Sequence, residues 1–307
     1  DLEDETKVKT HSAAYRTKLL RNEERIVEKE YLTDALSRES VNFIDRNADN
    51  PFFIYLAYNA PHGPLQATEK YLKRYSHIKE KKRRTYAAMV SAVDDGVGNI
   101  ISKLKEKGIY ENTIVYFLSD NGGRLRGDSD NGELRGKKGN LFEGGIRVPF
   151  VMQWPIEIKG GQIFDKPVIS LDIFATSKAL TSPHIEHKNE LHGVNLIPFL
   201  KGENKNQPHD FLFWRNNLMQ NDVNLRFEAS AVRTEEFKFI KNKESDALYN
   251  LKKEISEKTN LKNQDREMYD SLKHQYSKWH ETLMDPIFLG LLANKEYNKL
   301  NPDRFRY

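Results

Sequence analysis

Hydrophobic positions in the first part of the chain change from helical spacing to a continuous run. Apolar side chains recur at helical spacing over residues 32–44, which predicts a helix with Thr33 as its N-cap and Pro51 beyond its end. Residues 52–58 read FFIYLAY, a short apolar run between turn signals. A run of that length predicts a strand that is buried on both faces.

The alternation of helix and strand patterns continues to residue 154. Residues 86–107 carry one apolar stripe and Gly108 follows as a natural C-cap, which predicts a second helix. Residues 113–119 and 148–154 predict two further strands. This order is typical of an α/β domain with a mostly parallel sheet, and ligands bind such sheets beyond the carboxyl ends of their strands.

The pattern of hydrophobic positions changes after residue 198. Short β-like runs occur at residues 211–214, 229–233 and 237–240. A helical pattern follows over residues 264–283. We therefore predict two units: residues 1–198 in the α/β domain, and residues 199–307 as a small antiparallel sheet covered by a helix.

Composition narrows the class of protein. The 307 residues are 38% hydrophobic and 31% charged, which is enough apolar material for a core. A net charge of only +4 argues against a nucleic-acid-binding protein. No apolar run approaches the roughly 18 residues of a membrane span. The chain contains no cysteine, which excludes disulfides, cysteine-ligated zinc, iron–sulfur clusters and a cysteine nucleophile within it.

Two oxygen-bearing side chains, Asp120 and Asn121, directly follow the predicted strand at 113–119. Carboxylate and amide oxygens are ligands that calcium prefers, and the two glycines after them leave space for a ligand. The alternative is an ordinary turn, because Asn-Gly is one of the commonest turn dipeptides. Two oxygens also do not complete a calcium shell, so further ligands would come from elsewhere.

Two other loops carry side chains suited to an anion. His62 lies between Pro61 and Gly63-Pro64, where an imidazole suits proton transfer to a leaving oxygen or contact with an anion. Lys138 provides a mobile positive charge for a sulfate or phosphate oxygen, although spacing does not decide between it and Lys137. Each residue alone is equally typical of a solvated surface loop. Together with a cation site they suit hydrolysis of a charged ester.

Several stretches of the chain combine into one family pattern. They are residues 31–34 (YLTD), 52–57 (FFIYLA), 60–67 (APHGPLQA), 119–123 (SDNGG), 134–139 (LRGKKG) and 143–149 (EGGIRVP). In this order they resemble the type I, formylglycine-dependent sulfatases, most closely the arylsulfatase B-like branch that acts on sulfated sugars. Residues 231–234 and 248–251 are similar to the C-terminal subdomain of that family.

The resemblance implies an alkaline-phosphatase-like α/β sandwich with a calcium site. By motif position, Asp120 and Asn121 match the family's calcium ligands. His62 matches the histidine that contacts the sulfate and assists departure of the alcohol, and Lys138, rather than Lys137, matches the sulfate-contacting lysine. The implied activity is hydrolysis of a sulfate ester on a carbohydrate of the polysaccharide or glycosaminoglycan type. The family also implies export to the periplasm or the extracellular space.

Other motifs of the family have no match in the chain. Its nucleophile is a formylglycine made from Cys or Ser, yet the chain has no Cys, and Ser182-Pro183-His184 does not fit the serine version. The family's N-terminal aspartate pair and its Gly-Lys-x-His motif are absent. We therefore expect a missing N-terminal sulfatase segment as a partner, and little or no turnover by this chain alone. Arg135 and Glu143 belong to a matched motif, and we expect structural roles for them.

Two other functions remain open at this stage. A phosphate or phosphonate ester hydrolase of the same superfamily would bind zinc or manganese through more Asp and His side chains than the motifs contain. A catalytically inactive protein that binds sulfated glycans is the non-enzymatic alternative. It would be favoured if the complete gene encoded neither Cys nor Ser at the nucleophile position.

Overall fold

The computed structural model describes residues 19–125, 129–182, 190–219, 226–242 and 245–284. Pro183 and His184 of the unmatched serine motif lie outside the described residues. In chain order the helices and strands are β1 (Leu19–Arg21), β2 (Glu24–Ile26), α1 (Leu32–Asn47), α2 (Glu69–Leu72), α3 (Lys81–Glu106), β3 (Val115–Leu118), α4 (Glu143–Ile146), β4 (Phe150–Gln153), α5 (Leu171–Thr181), α6 (Ile197–Leu200), β5 (Leu212–Met219), β6 (Arg226–Arg233), β7 (Phe237–Lys241), β8 (Asp246–Asn250) and α7 (Arg266–His280).

Helices α1 and α3 pack against each other through a tight contact at Gly96. A Cβ at this position would lie 2.2 Å from Ser37 Oγ and 2.5 Å from the Tyr58 hydroxyl oxygen. These two hydroxyl groups are hydrogen-bonded to each other at 2.8 Å. A glycine is therefore needed in α3 where α1 and the segment 52–58 meet it.

The start of α1 differs from the prediction. The helix begins at Leu32 with Tyr31 as its N-cap residue, so the prediction that Thr33 caps it is wrong. Thr33 is instead buried within the first turn, and its carbonyl oxygen accepts a hydrogen bond from Ser37 Oγ at 2.7 Å. Burial of the threonine side chain against the core thus takes precedence over its capping tendency.

Helix α3 confirms the predicted stripe but is longer at its start. It begins at Lys81, where the Glu80 carboxylate accepts hydrogen bonds from two backbone N–H groups of the first turn. It ends as predicted: Gly108 has a φ of 71° and donates its N–H to Lys105 O at 3.0 Å. In the described part of the chain, no helix is both long and apolar enough to cross a membrane.

The segment 52–58 is extended, but the prediction that both of its faces are buried is wrong. Its even-numbered side chains face the helices, and Phe52 meets Phe43 of α1 edge-on at a ring-centroid distance of 6.0 Å. On the other face, Phe53 and Tyr55 are 79% and 83% exposed. Within the described residues this segment belongs to no sheet.

Strands β3 and β4 form an antiparallel pair, with Phe117 opposite Val151. One face of the pair packs Tyr116 on Phe150, whereas Phe117 and Val151 on the other face are 42% and 61% exposed. All strand pairs among the described residues are antiparallel, so the predicted mostly parallel sheet is not observed there. The chain reverses direction through the Gly-rich loop between β3 and β4, which makes these two neighbours antiparallel.

The predicted C-terminal antiparallel sheet with a covering helix is confirmed. The strand order is β5–β6–β7–β8, and α7 lies over one face of the sheet. On that face Phe239 and Leu248 are completely buried and pack with Leu272 of α7. Because successive side chains of a strand point to opposite faces, Ala231, Ile240 and Tyr249 lie on the other face of the sheet.

The opposite face of this sheet packs against the loop that precedes α4. Leu141 and Phe142 join the same apolar cluster as Ala231 and Tyr249. Phe142 and Tyr249 meet edge-on with ring centroids 6.1 Å apart. The C-terminal sheet thereby holds a loop that carries predicted site residues.

Candidate functional site

Asp120 and Asn121 lie directly beyond the end of β3, as predicted. Ser119 anchors this turn, because its N–H donates to Pro149 O at 3.2 Å and its Oγ donates to Asn121 O at 2.9 Å. The Asn121 side chain donates from Nδ2 to Gly122 O at 3.0 Å, which leaves its carbonyl oxygen available as a ligand. The Asp120 side chain is exposed, and no hydrogen bond to its carboxylate is found among the described residues.

The turn after Asn121 is pressed against the residues of α4. Gly122 donates its N–H to Gly145 O at 3.0 Å. A Cβ on Gly122 would lie 1.9 Å from Gly144 O, a distance that no real contact allows. The glycine is therefore required for this close approach, which sets the two loops side by side.

Asn131 joins the backbone of both loops and was missed by sequence reasoning. Its Oδ1 accepts the N–H of Gly123 at 2.8 Å, and its Nδ2 donates to Gly136 O at 3.0 Å and to Gly144 O at 2.8 Å. In the sequence it belongs to an Asp-Asn-Gly triplet that is typical of an ordinary turn. That local signal gives no indication of its three non-local partners.

Residues 136–142, which precede α4, form the loop that we call the Lys138 loop. The Lys138 N–H donates to Gly123 O at 3.0 Å, so the backbone of the lysine lies beside the turn that carries Asp120 and Asn121. The structure thus brings the loops of these three predicted residues together. Lys137 and Lys138 are both exposed, and their contacts do not decide between them.

His62 stands apart from the other predicted residues in its contacts. Cis peptide bonds precede Pro61 and Pro64 on either side of it. Its N–H donates to Asn59 O at 2.8 Å, and its Nδ1 lies 2.7 Å from Gly63 O. Because a carbonyl oxygen only accepts, Nδ1 donates in this hydrogen bond, and the residue is exposed. No contact in the described ranges joins His62 to the loops of Asp120 or Lys138.

Asp120 and Asn121 carry oxygen donors of the kind that bind calcium, but two donors are too few for a complete shell. Asp120 and Asn121 offer a carboxylate and an amide oxygen, the donors that calcium prefers. Calcium takes about six to eight oxygen ligands, so this pair provides only one side of a shell. Across the part of the chain that the structure describes, no group of three His, Cys, Asp or Glu side chains could hold a metal ion.

Beneath the Lys138 loop lies a buried ion cluster made by Glu143, Glu257 and Lys238. The Lys238 ammonium lies 3.0 Å from Glu143 Oε1 and 2.8 Å from Glu257 Oε1. Glu257 Oε2 accepts the backbone N–H of Glu143 at 2.6 Å. All three side chains are at most 1% exposed. The structural role expected for Glu143 is consistent with this arrangement, whereas Glu257 was not singled out from the sequence.

The two carboxyl groups of this cluster have pKa values that move in opposite directions. Burial opposes ionisation of Glu143, but the nearby Lys238 and Arg233 cations lower its pKa below the ordinary range. Burial raises the pKa of Glu257, and Lys238 offsets that effect only in part. Glu143 is therefore the more strongly ionised of the pair.

Two family models match the sequence. The sulfatase model matches residues 4–182, which is more than half of the chain. The model of the N-sulphoglucosamine sulphohydrolase C-terminal region matches residues 136–283. The Lys138 loop lies within both matches.

Curated relatives are considerably longer than this chain. The uncharacterized sulfatase YdeN of Escherichia coli (strain K12) is 36% identical over 201 residues, which cover 64% of this chain and 36% of that protein. Human steryl-sulfatase is 33% identical over 200 residues, which cover 62% of this chain and 33% of that protein. The chain therefore spans about a third of the length of these relatives.

A solved structure shares nearly the whole fold. The crystal structure of Ps i-CgsB in complex with k-i-k-neocarrahexaose superposes with a TM-score of 0.83 at 34% identity, over 95% of this chain and 65% of that one. The α/β part and the C-terminal sheet with its helix therefore form a sulfatase-like fold. Because the sulfatase model matches more than half of its residues and its fold agrees, the chain belongs to the sulfatase family.

Proposed function

We propose that this chain contributes to a sulfuric ester hydrolase that removes sulfate from a sulfated carbohydrate. The observation that carries the proposal is the hydrogen bond from Lys138 N to Gly123 O, which sets the backbone of Lys138 beside the Asp120-Asn121 turn. The similarity to Ps i-CgsB, which was solved with a neocarrahexaose, supports a carbohydrate substrate.

The proposed roles follow the chemistry of each side chain. Lys138 neutralises an oxygen of the sulfate group through its exposed ammonium. His62 assists departure of the sugar alcohol, which requires its Nε2 to be protonated when the ester breaks. Asp120 and Asn121 would hold calcium from one side, and a calcium ion there neutralises negative charge on the sulfate.

We also propose that turnover needs groups from outside the 307 residues. The two oxygen ligands do not complete a calcium shell, and no motif residue matches the formylglycine nucleophile. Large apolar side chains are exposed in two places, Phe53 and Tyr55 on the segment 52–58 and Phe117 and Val151 on the β3–β4 pair, and they support this proposal. Exposed apolar side chains of this size often mark a contact surface, so we propose that the remaining part of a sulfatase catalytic domain covers them.

Sulfate release tests the proposal. The complete protein is expected to release inorganic sulfate from sulfated galactan oligosaccharides, whereas the 307-residue chain alone is expected to release little or none. Turnover by the short chain at the rate of the complete protein would contradict the need for outside groups. Absence of sulfate release, together with retained binding of the oligosaccharide, would favour the non-catalytic glycan-binding alternative.

Metal analysis separates the sulfatase from the phosphoester alternative. The purified complete protein is expected to contain calcium. Zinc or manganese, together with faster release of phosphate than of sulfate from matched esters, would favour a phosphate or phosphonate ester hydrolase. Family resemblance also leads us to propose export to the periplasm or extracellular space, which cell fractionation would test.

A further inference from the structure

We propose that Glu257 is a positioning residue that fixes the Lys138 loop on the C-terminal sheet. The inference rests on the proposed function, because it assigns Glu257 a role in placing the sulfate-binding lysine. Glu257 lies 119 positions after Lys138 in the sequence and belongs to the segment between β8 and α7. It touches the loop from the side of the C-terminal sheet.

Glu257 accepts a hydrogen bond on each side of the segment that carries Lys138. On one flank, its main-chain carbonyl oxygen accepts a hydrogen bond from Arg135 Nη1 at 2.6 Å. On the other flank, its carboxylate accepts the backbone N–H of Glu143 at 2.6 Å. One residue therefore sets the positions of both ends of a short loop.

The carboxylate of Glu257 is itself held by a buried cation. Lys238 of β7 places its ammonium 2.8 Å from Glu257 Oε1, and both side chains are fully buried. The same ammonium pairs with Glu143 at 3.0 Å. Without Lys238 the buried Glu257 carboxylate would lose the cation beside it, whereas Glu143 would keep Arg233 at 3.4 Å, and an unpaired buried carboxylate is strongly unfavourable. The lysine therefore fixes one oxygen of the Glu257 carboxylate while the other accepts the Glu143 N–H.

The backbone of Glu257 has an uncommon conformation. Its φ is +51°, in the left-handed region where residues other than glycine, asparagine and aspartate are rare. A glycine would adopt this conformation at lower cost, but it would provide no carboxylate. Backbone strain of this kind persists where the surrounding structure and function require the side chain.

The Lys138 loop depends on such outside anchors. Gly136 and Gly139 flank the lysine with φ values of 87° and 89°, and within the loop Asn140 N donates to Lys137 O at 2.8 Å. Asn216 of β5 provides a further anchor, because its Nδ2 donates to Gly139 O at 3.0 Å. The ammonium of Lys138 itself has no ion-pair or hydrogen-bond partner among the described residues, so the backbone anchors decide where it can reach.

Amide hydrogen exchange on the 307-residue chain tests this role without requiring turnover. In Glu257→Ala, exchange of the amides of residues 136–143 is expected to be faster by about tenfold or more, because the Glu143 N–H loses its buried acceptor, while the main-chain carbonyl that accepts from Arg135 remains. Exchange in β7 and β8 is expected to change much less. Glu254→Ala is the matched control, since Glu254 lies in the same segment and its carboxylate accepts the N–H of Thr259.

A conservative variant separates positioning from general stability. Glu257→Gln keeps a side-chain acceptor for the Glu143 N–H and is expected to restore most of the protection of the loop. Equal loosening of β7, β8 and the loop in Glu257→Ala, or unchanged exchange in the loop, would overturn the proposal. If Glu257→Ala loosens only the loop while the complete wild-type protein releases no sulfate, the positioning role stands and the proposed function fails.

Discussion

The imidazole of His209 lies against a completely buried carboxylate, with its Nε2 2.8 Å from Oδ1 of Asp172. Asp172 is in the first turn of α5, and its Oδ2 accepts the N–H of Ile169 at 2.8 Å. Its Oδ1 also accepts the N–H of Val194 at 2.9 Å. A single carboxylate therefore joins three segments that are distant in the sequence.

Replacement of Asp172 should destabilise the fold strongly. Asp172→Ala leaves two partly buried backbone donors and His209 without an acceptor, and we expect a loss of about 3 kcal/mol in the free energy of unfolding. Asp165→Asn, at an exposed aspartate seven residues earlier, is the control and should change it by less than about 0.5 kcal/mol. Urea unfolding followed by tryptophan fluorescence measures both. Equal midpoints for the two variants would contradict the bridging role.

Two glycines of α3 should respond to alanine in opposite directions. Gly96→Ala places a methyl group 2.2 Å from Ser37 Oγ, so we expect a loss of about 2 kcal/mol from overpacking. A Cβ on Gly98 would meet nothing within 4 Å, and alanine is the better helix former there. Gly98→Ala should therefore stabilise the chain by about 0.5 to 1 kcal/mol. Thermal unfolding of the two variants checks the contact between α1 and α3, and a stabilised Gly96→Ala would contradict it.

Local patterns were sufficient to predict the elements whose stability is local. The apolar stripe and Gly108 identified α3, short β-like runs identified β6 and β7, and helical spacing identified their covering helix. The same reasoning failed for Thr33 and for the segment 52–58, because the burial of a side chain depends on what packs against it. An apolar run shows that a face can be buried, but it does not show which partner covers it.

The candidate site was predictable only in part for the same reason. Asp120, Asn121 and Lys138 belong to short motifs, and the structure places their loops side by side. Asn131 and Glu257 act through contacts with distant backbone groups, so no motif around them indicates a role. The placement of His62 near these residues stays a prediction.

Removal of one proposed calcium ligand tests the metal assignment. In the complete protein, Asp120→Ala is expected to lower the bound calcium per molecule and to abolish sulfate release, because the variant lacks the charged oxygen donor. Elemental analysis after dialysis measures the metal. Asp130→Ala is the control, since Asp130 is exposed and its carboxylate accepts the N–H of Gly132. Unchanged calcium content in Asp120→Ala would refute the assignment.

The choice between the two neighbouring lysines is open to a direct comparison. Lys138→Ala is expected to weaken binding of a sulfated oligosaccharide to the complete protein by about tenfold or more, because a charge-assisted contact to the sulfate is lost. Lys137→Ala should change the affinity by less than about twofold, as expected for an exposed charge. Calorimetric titration measures both affinities. A larger loss in Lys137→Ala would reassign the sulfate contact to that residue.

The buried ion cluster should make stability depend on pH in the acid range. The pKa of Glu143 is lowered in the folded state, mainly by Lys238 and Arg233 acting against burial, so the unfolded chain binds its proton first as the pH falls. The stabilisation from ionised Glu143 is therefore complete above its unfolded pKa of about 4.3 and is lost as the pH falls through the lower folded value. Glu257 acts oppositely, because its raised pKa makes the folded chain bind a proton first.

Comparing wild type with Glu143→Gln isolates the first of these effects. The difference in free energy of unfolding, wild type minus variant, should be larger at pH 6 than at pH 3. Only the wild type has an ionised Glu143 to lose as the pH falls over that interval. For Glu257→Gln the same difference, wild type minus variant, should instead fall as the pH rises above about 4.3. Urea unfolding at several pH values measures both differences. A Glu143→Gln difference that is constant from pH 6 to pH 3 would show that Lys238 and Arg233 do not hold this carboxylate in its ionised form.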